Sequence, residues 1–208
     1  MECTKKLEEV KGKRYDDLKA VKLRNMVDMA LSFSAMMRLF EGGSKETIQT
    51  EILKRLQSFF TAGSESEFRS AHIDFCEWGI KEITRTDREK DGELVKEKGP
   101  ASYGDMAKIL DVVLHVVIHY AHRPDCGPAQ TLSKWLNPAM DTKMMAFLAG
   151  CYPDALKPWP KTIEQVGKDE YKAIQNTVRQ FIKEEHKDKI LPVDFDDIYW
   201  EALNRKGK

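Results

Sequence analysis

The sequence predicts an all-α protein, a single globular domain built as an irregular bundle of about seven helices. Two long segments, residues 16–41 and 169–187, carry apolar side chains at steps of three and four positions, which is the spacing of one helical face. The sequence has no alternating run long enough for a substantial strand and no internal repeat. A chain of 208 residues is long enough for one well-buried core. We therefore expect residues 1–208 to form one domain.

The amino-terminal half is predicted to contain three helices separated by glycine-containing breaks. The first covers residues 16–41, and Gly42 and Gly43 end it because glycine adopts the backbone angles of a helix terminus. Ser44 is expected to cap the second helix. Ser64, followed three residues later by a glutamate, is typical of a capping box and predicts the start of the third helix.

Residues 85–100 differ from the segments on either side. They are mixed in charge and poor in apolar side chains. Such a segment buries little surface, so we expect a solvated, mobile charged loop within the single domain.

The carboxy-terminal half is predicted to contain the remaining helices. Ser102 is expected to cap an apolar helix that ends before Pro124, because the residue before a proline is disfavoured in a helix. Two short helices follow, the second capped by Asp141. Three prolines predict extended surface chain over residues 152–160. The last helix is expected to begin at Asp194, after the long amphipathic one.

The composition restricts the class of protein and its location. The 34 basic and 34 acidic residues balance, which disfavours a nucleic-acid-binding protein, because basic contacts to phosphate supply much of that affinity. The sequence has no stretch approaching the ~20 apolar residues that span a bilayer, so we expect no membrane association. The charged amino terminus lacks the apolar centre of a secretion signal, which predicts a cytoplasmic protein.

The cysteine pattern agrees with a reducing compartment. Four cysteines lie far apart without a C-x-x-C pair, so free thiols are expected: Cys3, Cys76, Cys126 and Cys151. A disulfide between Cys126 and Cys151 is an alternative that the sequence leaves open.

Three of the five histidines lie in one apolar segment, LDVVLHVVIHYAH, residues 110–122. At ~100° per residue, the polar positions of this helix fall within an arc of roughly 80°. These positions are Lys108, Asp111, His115, His119 and His122. A narrow polar stripe on an otherwise buried helix must face water, a polar cavity or a partner.

The stripe can be interpreted as a metal site. His115 and His119 are four residues apart, so both imidazoles can approach one ion from the same helical face. His122 lies about 10 Å along the axis from His115, too far to share an ion whose bonds are ~2.0–2.1 Å long. The candidate ligands are Asp111, His115, His119 and His122, with Asp125, Cys126 and the His72/Cys76 pair as further donors. The cofactor would be a divalent transition metal such as zinc.

The favoured alternative is a solvated stripe that holds no cofactor. Its imidazoles would form hydrogen bonds with neighbouring carboxylates or carbonyl groups. A partner-facing or pH-sensitive surface is a third interpretation of the same residues.

Two other features carry weaker hypotheses. His72 and Cys76 have the spacing of a thiolate–imidazole couple, but a buried structural cysteine is the favoured interpretation. Trp159, between Pro158 and Pro160, is a candidate contact residue for a protein partner. Its alternative role is to cover the core beneath a loop.

The sequence lacks a coherent catalytic motif, so the leading functional hypothesis is a non-enzymatic helical module. Such a module would act through a protein partner or as a homo-oligomer, or as a subunit of a larger assembly. The rival hypothesis is a metal-dependent or histidine-assisted enzyme centred on the His115/His119 helix face.

Overall fold

The computed structural model describes residues 15–90 and 93–204, and the all-α prediction is confirmed there. The helices are α1 (Tyr15–Phe33), α2 (Ser44–Phe60), α3 (Glu65–Glu82), α4 (Tyr103–Leu114), α5 (Cys126–Ser133), α6 (Thr142–Cys151), α7 (Lys168–Phe181) and α8 (Asp194–Asn204). Two of them continue as π-helical turns, α4 through His115–Tyr120 and α7 through Ile182–His186. Short 3-10 turns cover Ala35–Leu39 and Ile163–Gln165.

Helix α4 lies at the centre of the bundle and packs against α1, α3 and α7. It can do so because most of its circumference is apolar. Its fully buried side chains are Met106, Ala107, Ile109, Leu110 and Val113, and Val117 and Ile118 extend the same core through the π-helical turn. Burying one such large aliphatic side chain contributes about 1.5–3 kcal/mol. The apolar residues, and not the histidines, therefore hold this helix in place.

The predicted caps of three helices are confirmed. Ser64 Oγ accepts from the Glu67 N–H at 3.3 Å at the start of α3. Ser102 and Asp105 form a capping box, in which Ser102 Oγ accepts from the Asp105 N–H at 3.1 Å and the Asp105 carboxylate accepts from the Ser102 N–H at 3.0 Å. Asp141 Oδ1 accepts from the Met144 N–H at 2.8 Å. These bonds satisfy backbone donors that a helix start leaves unpaired.

The first helix is shorter than the predicted segment of residues 16–41. It ends at Phe33, and the Ser34 hydroxyl accepts from the backbone N–H of Met36 to start a 3-10 turn. A serine side chain competes in this way with the helical backbone, which apolar periodicity does not reveal. The N-cap of α2 is Gly43, with φ of +86°, and not Ser44 as expected.

Short antiparallel strands lie within the segment of residues 85–100 and just before it, where a solvated loop is expected. Thr84–Arg85 pairs with Gly99–Pro100, and Arg88–Lys90 pairs with Glu93–Lys96. Strands of two to four residues are too short to show alternation in the sequence, and backbone hydrogen bonds hold them together. The mobility of this segment stays a prediction.

The cysteines that the structure describes are free. Cys76 is buried, whereas Cys126 and Cys151 are exposed and do not form the disulfide left open above. Cys3 and the charged amino terminus lie outside the described residues. Among the helices of the described residues, none combines the length and the apolar character needed to cross a bilayer.

Candidate metal centre

The structure brings His115 and His119 together at the end of α4. Their ring centroids lie 5.3 Å apart. The helix widens into a π-helical turn at His115 and ends at Tyr120. Single π-helical turns of this kind are frequent at functional sites, because they redirect side chains from the regular helical positions.

Three aspartates of the first turn of α8 lie opposite the two imidazoles. His119 Nε2 is 3.3 Å from Asp194 Oδ1. His115 Nδ1 is 3.8 Å from Asp196 Oδ2, and His115 Nε2 is 3.6 Å from Asp197 Oδ2. Acidic residues are favourable at a helix start on their own account, because they interact with the helix dipole. Their convergence on two histidines of another helix is the additional feature.

The three aspartates differ in their other bonds. Asp194 Oδ2 accepts from the Leu191 N–H, and Asp196 Oδ2 accepts from the Ala139 N–H, both at 2.7 Å. Asp197 instead accepts a hydrogen bond from the hydroxyl of Tyr120. Asp194 and Asp196 therefore support the local backbone, whereas the contacts of Asp197 are with side chains of the histidine helix.

His115, His119 and Asp197 each offer one ligand atom, and these three atoms all lie within 4.8 Å of one another. A tetrahedral ion with bonds of ~2.0–2.1 Å needs ligand atoms about 3.4 Å apart. The ligand atoms therefore need to move together by at most about 1.5 Å to hold an ion. The Asp197 carboxylate, whose side chain is 46% exposed, already lies 3.6 Å from His115 Nε2. We call these three residues the His–Asp cluster.

Burial determines the electrostatics of the cluster. Desolvation lowers the pKa of His119 below its ordinary value, and the neighbouring His115 lowers it further. Desolvation raises the pKa of Asp196. His115 is buried, and its Nε2 has no hydrogen-bond partner within the described part of the chain. A neutral imidazole with a free nitrogen is the form that binds a metal ion.

A cavity of about 350 Å³ lies beside the cluster. Its lining includes His115, Tyr120, Lys108, Asp141 and Asp196. Desolvation lowers the pKa of the Lys108 ammonium group. The cavity gives a small molecule access to the face of the cluster that carries His115.

Two of the predicted ligands lie outside the cluster. Asp111 is buried in a different polar group, where its Oδ1 lies 3.0 Å from His72 Nε2 and its Oδ2 accepts from the Tyr171 hydroxyl at 2.7 Å. His122 follows the end of the helix, is exposed and has φ of +51°. The helical projection failed at His122 because the chain leaves the regular α-helix at His115.

The aspartates of α8 were missed by the sequence analysis. Asp194, Asp196 and Asp197 lie about 80 residues after the histidines and have no spacing motif with them. Their run of acids, DFDD, is also typical of an ordinary helix start. Only the packing of α8 against the end of α4 could reveal them.

The His72–Cys76 pair is structural in character. Cys76 Sγ lies 3.7 Å from His72 Nδ1, and burial raises the pKa of the thiol well above its ordinary value. A raised pKa disfavours the thiolate that a nucleophile or metal ligand requires.

Trp159 is half-buried and packs against the core. Its Nε1–H donates to the backbone carbonyl of Tyr152 at 3.1 Å. This geometry matches the alternative role, that of a ring covering the core beneath a loop.

Comparisons with known proteins give no further guidance, since no family model, curated protein or solved structure matches this chain.

Proposed function

We propose that this protein is a metal-dependent enzyme in which His115, His119 and Asp197 bind a divalent transition-metal ion. The observation that carries the proposal is the buried His115 Nε2, which has no hydrogen-bond partner in the described residues and lies beside a second imidazole and a carboxylate. A buried polar atom without a partner costs about 1–3 kcal/mol. Coordination to an ion removes that cost.

Simple ion pairing explains the cluster less well. The histidine–aspartate separations of 3.3–3.8 Å are longer than the ~2.7–2.9 Å of a charge-assisted hydrogen bond. If the cluster were a set of stabilising ion pairs, its partners would be expected to lie closer. Within the cluster itself, the 3.6 Å between His115 Nε2 and Asp197 Oδ2 is close to the ~3.4 Å that separates two ligand atoms of a tetrahedral ion.

The donor set favours zinc or ferrous iron. Two imidazole nitrogens and one carboxylate oxygen suit these ions, whereas magnesium and calcium prefer oxygen ligands alone. Three protein ligands leave at least one coordination position open, which is typical of catalytic and not of structural zinc sites. The cavity beside His115 supplies the space for a molecule in that position.

The residues around the cluster have definable roles. A divalent ion supplies Lewis-acid activation of water, lowering the pKa of bound water to about 7 in zinc enzymes. The Tyr120 hydroxyl orients the Asp197 carboxylate through its hydrogen bond. Lys108 lines the same cavity and can bind an anionic group of a small substrate. A hydrolytic reaction on a small polar substrate fits these roles.

The test is metal analysis of the full chain purified without a histidine tag and dialysed against zinc. We expect about one ion per chain, held by His115, His119 and Asp197. The double variant His115→Gln, His119→Gln should lose it. His122→Gln is the matched control, since His122 lies in the same segment but outside the cluster, and it should keep the ion. Failure of the wild type to retain zinc, or equal retention by the double variant, would contradict the proposal.

The interaction-module hypothesis stays a prediction, and one observation favours it. Leu18, Val21 and Met29 of α1 are 41–57% exposed and fall within an arc of about 80° on one helical face. Such an apolar stripe suits a second copy of the chain. Sedimentation analysis should then show a dimer that Met29→Glu dissociates. A monomeric wild type would contradict this second candidate.

A further inference from the structure

A larger cavity, of about 680 Å³, lies between α3 and α7 and is called here the α3–α7 cleft. The two helices line it in antiparallel directions. Lys168 pairs with Glu77 at one end, whereas Arg69 and Arg179 interact at the other. A cavity of this volume accommodates a small molecule. Its lining shares no residue with that of the cavity beside His115.

The floor of the cleft is a preorganised polar surface. Tyr171 donates its hydroxyl hydrogen to Asp111 and accepts from Asn137 Nδ2 at 2.7 Å. His72 lies against the same carboxylate. Tyr171, His72 and Asn137 are each at least 95% buried. Because these side chains are fixed by one another, they keep the floor of the cleft rigid, so the cleft does not have to be ordered when a ligand binds.

Two buried atoms of the lining residues have no partner in the described part of the chain, Arg69 Nη1 and Gln175 Oε1. Arg69 donates hydrogen bonds from Nε and Nη2 to Glu65 Oε1, so only its Nη1 is without a partner. Gln175 donates Nε2 to the Pro138 carbonyl at 3.1 Å, which fixes the orientation of the amide and leaves Oε1 as an acceptor. Two residues of the cleft lining therefore each carry one unused polar atom, a donor on a cation and an acceptor on an amide.

Positive charge is concentrated around the cleft. The lining contains four cationic side chains, Arg69, Lys168, Lys172 and Arg179, and two anionic ones, Glu65 and Asp169. Arg179 Nη2 donates to Asn137 Oδ1 at 2.8 Å, which fixes the guanidinium beside the floor. Burial, followed by repulsion from Arg69, lowers the pKa of Arg179 to about 10. An anion near both guanidinium groups would relieve this repulsion.

From this arrangement we infer that the α3–α7 cleft binds a small phosphorylated molecule that carries hydroxyl groups. The phosphate is bound by Arg69, through its unused Nη1, and by the positive charge of Arg179, because hydrogen bonds and ion pairs between a guanidinium and a phosphate are charge-assisted. The excess of cationic side chains favours a dianion over a single carboxylate. A ligand hydroxyl donates to Gln175 Oε1. This inference does not depend on the proposed metal centre.

Calorimetric titration of the full chain tests the inference with three probes: glycerol 3-phosphate, inorganic phosphate and glycerate. Glycerol 3-phosphate combines the phosphate with hydroxyl groups, so it should bind tightest. We expect saturable binding with a dissociation constant below about 10 mM. Tighter binding of glycerate would overturn the phosphate assignment, and equal binding of the two phosphates would overturn the role of Gln175 Oε1.

Arg69→Gln should weaken the binding of glycerol 3-phosphate about tenfold or more, because it removes a charge-assisted donor. Arg55→Gln is the matched control. Arg55 pairs with Glu51 one turn away in α2, and Arg69 pairs in the same way with Glu65 in α3. The side chains of the two arginines are equally exposed, at 25% and 26%. Arg55 lies outside the cleft lining, so its variant should bind normally.

Lys172→Gln supplies a second variant at an exposed position, where folding is not at risk. It should weaken binding several-fold through the loss of one positive charge. No saturable binding of any probe, or equal loss of affinity in Arg55→Gln and Arg69→Gln, would overturn the inference.

Discussion

His72 and His115 are both buried beside carboxylates, yet they differ in how their nitrogens are bonded. His72 Nε2 lies 3.0 Å from Asp111, and its Nδ1 faces the Cys76 thiol. His115 Nε2 has no hydrogen-bond partner in the described residues. The carboxylate oxygen Oδ2 of Asp197 lies 3.6 Å from it. Asp111 and His115 are four residues apart on one helix. The same stripe of α4 therefore supplies one completed polar network and one incomplete cluster.

The difference indicates two kinds of role. A carboxylate only accepts hydrogen bonds, so Asp111 requires the proton of His72 on Nε2, and Nδ1 then accepts from the Cys76 thiol. Every member of that network has its bonding partner within the protein, as expected of a structural element. The His–Asp cluster lacks this internal completion. The metal ion proposed above would complete it at His115 Nε2.

The largest effect is expected from breaking the completed network. Asp111→Ala leaves His72 and Tyr171 without their shared acceptor in a buried site, so it should lower the free energy of unfolding by about 3–5 kcal/mol. Urea denaturation measures the change. Tyr171→Phe removes one hydroxyl and should cost about 1–3 kcal/mol, which gives a milder second measurement.

Asp154→Ala is the control for Asp111→Ala. Asp154 pairs with Lys157 on the surface, where its side chain is 85% exposed. Its loss should leave the urea midpoint unchanged. If Asp111→Ala unfolded at the same urea concentration as this control, the network would not have the structural role assigned to it.

The next effect in size is expected at the incomplete cluster. Zinc at 100 times its dissociation constant should stabilise the fold by about 2.7 kcal/mol, since it binds the folded state. For a chain of this length that corresponds to a rise in melting temperature of about 5–10 °C. Differential scanning calorimetry with zinc and with chelator measures it.

His119→Gln should remove most of the zinc-dependent stabilisation, because it removes one of the three ligands. Tyr120→Phe should remove less, since Tyr120 only orients Asp197. His122→Gln should melt as the wild type does. A rise of the same size in all of these variants would show that zinc binds elsewhere.

Only part of each of the two sites could be predicted from the sequence. The apolar periodicity of α4 correctly indicated a buried helix, and the four-residue spacing indicated that His115 and His119 meet. The partners could not be predicted, because Asp197 reaches His115 from 82 residues away and His72 reaches Asp111 from 39. A helical projection gives the direction of a side chain but not what lies opposite. It therefore assigned Asp111 to the histidines.

The cysteines give a smaller test of the completed network. In native protein, a thiol reagent should modify the exposed Cys126 and Cys151 much faster than the buried Cys76. Because burial holds the pKa of Cys76 well above its ordinary value, raising the pH from about 7 to about 9 should not make it reactive. Peptide-resolved mass spectrometry distinguishes the three positions. Early labelling of Cys76 would contradict the burial of the network.

The smallest effect is expected from His115→Leu, measured in chelator. Leucine is apolar and of similar size, and the substitution removes a buried nitrogen that already lacks a partner. The free energy of unfolding should therefore change by less than about 1 kcal/mol, or even increase. His72→Leu, the matched substitution in the completed network, should destabilise in the same buffer because Asp111 and Cys76 lose their partner. In zinc the order of wild type and His115→Leu should reverse, with the wild type the more stable. A large loss for His115→Leu in chelator would show that His115 has a structural partner, and the contrast with His72 would then fail.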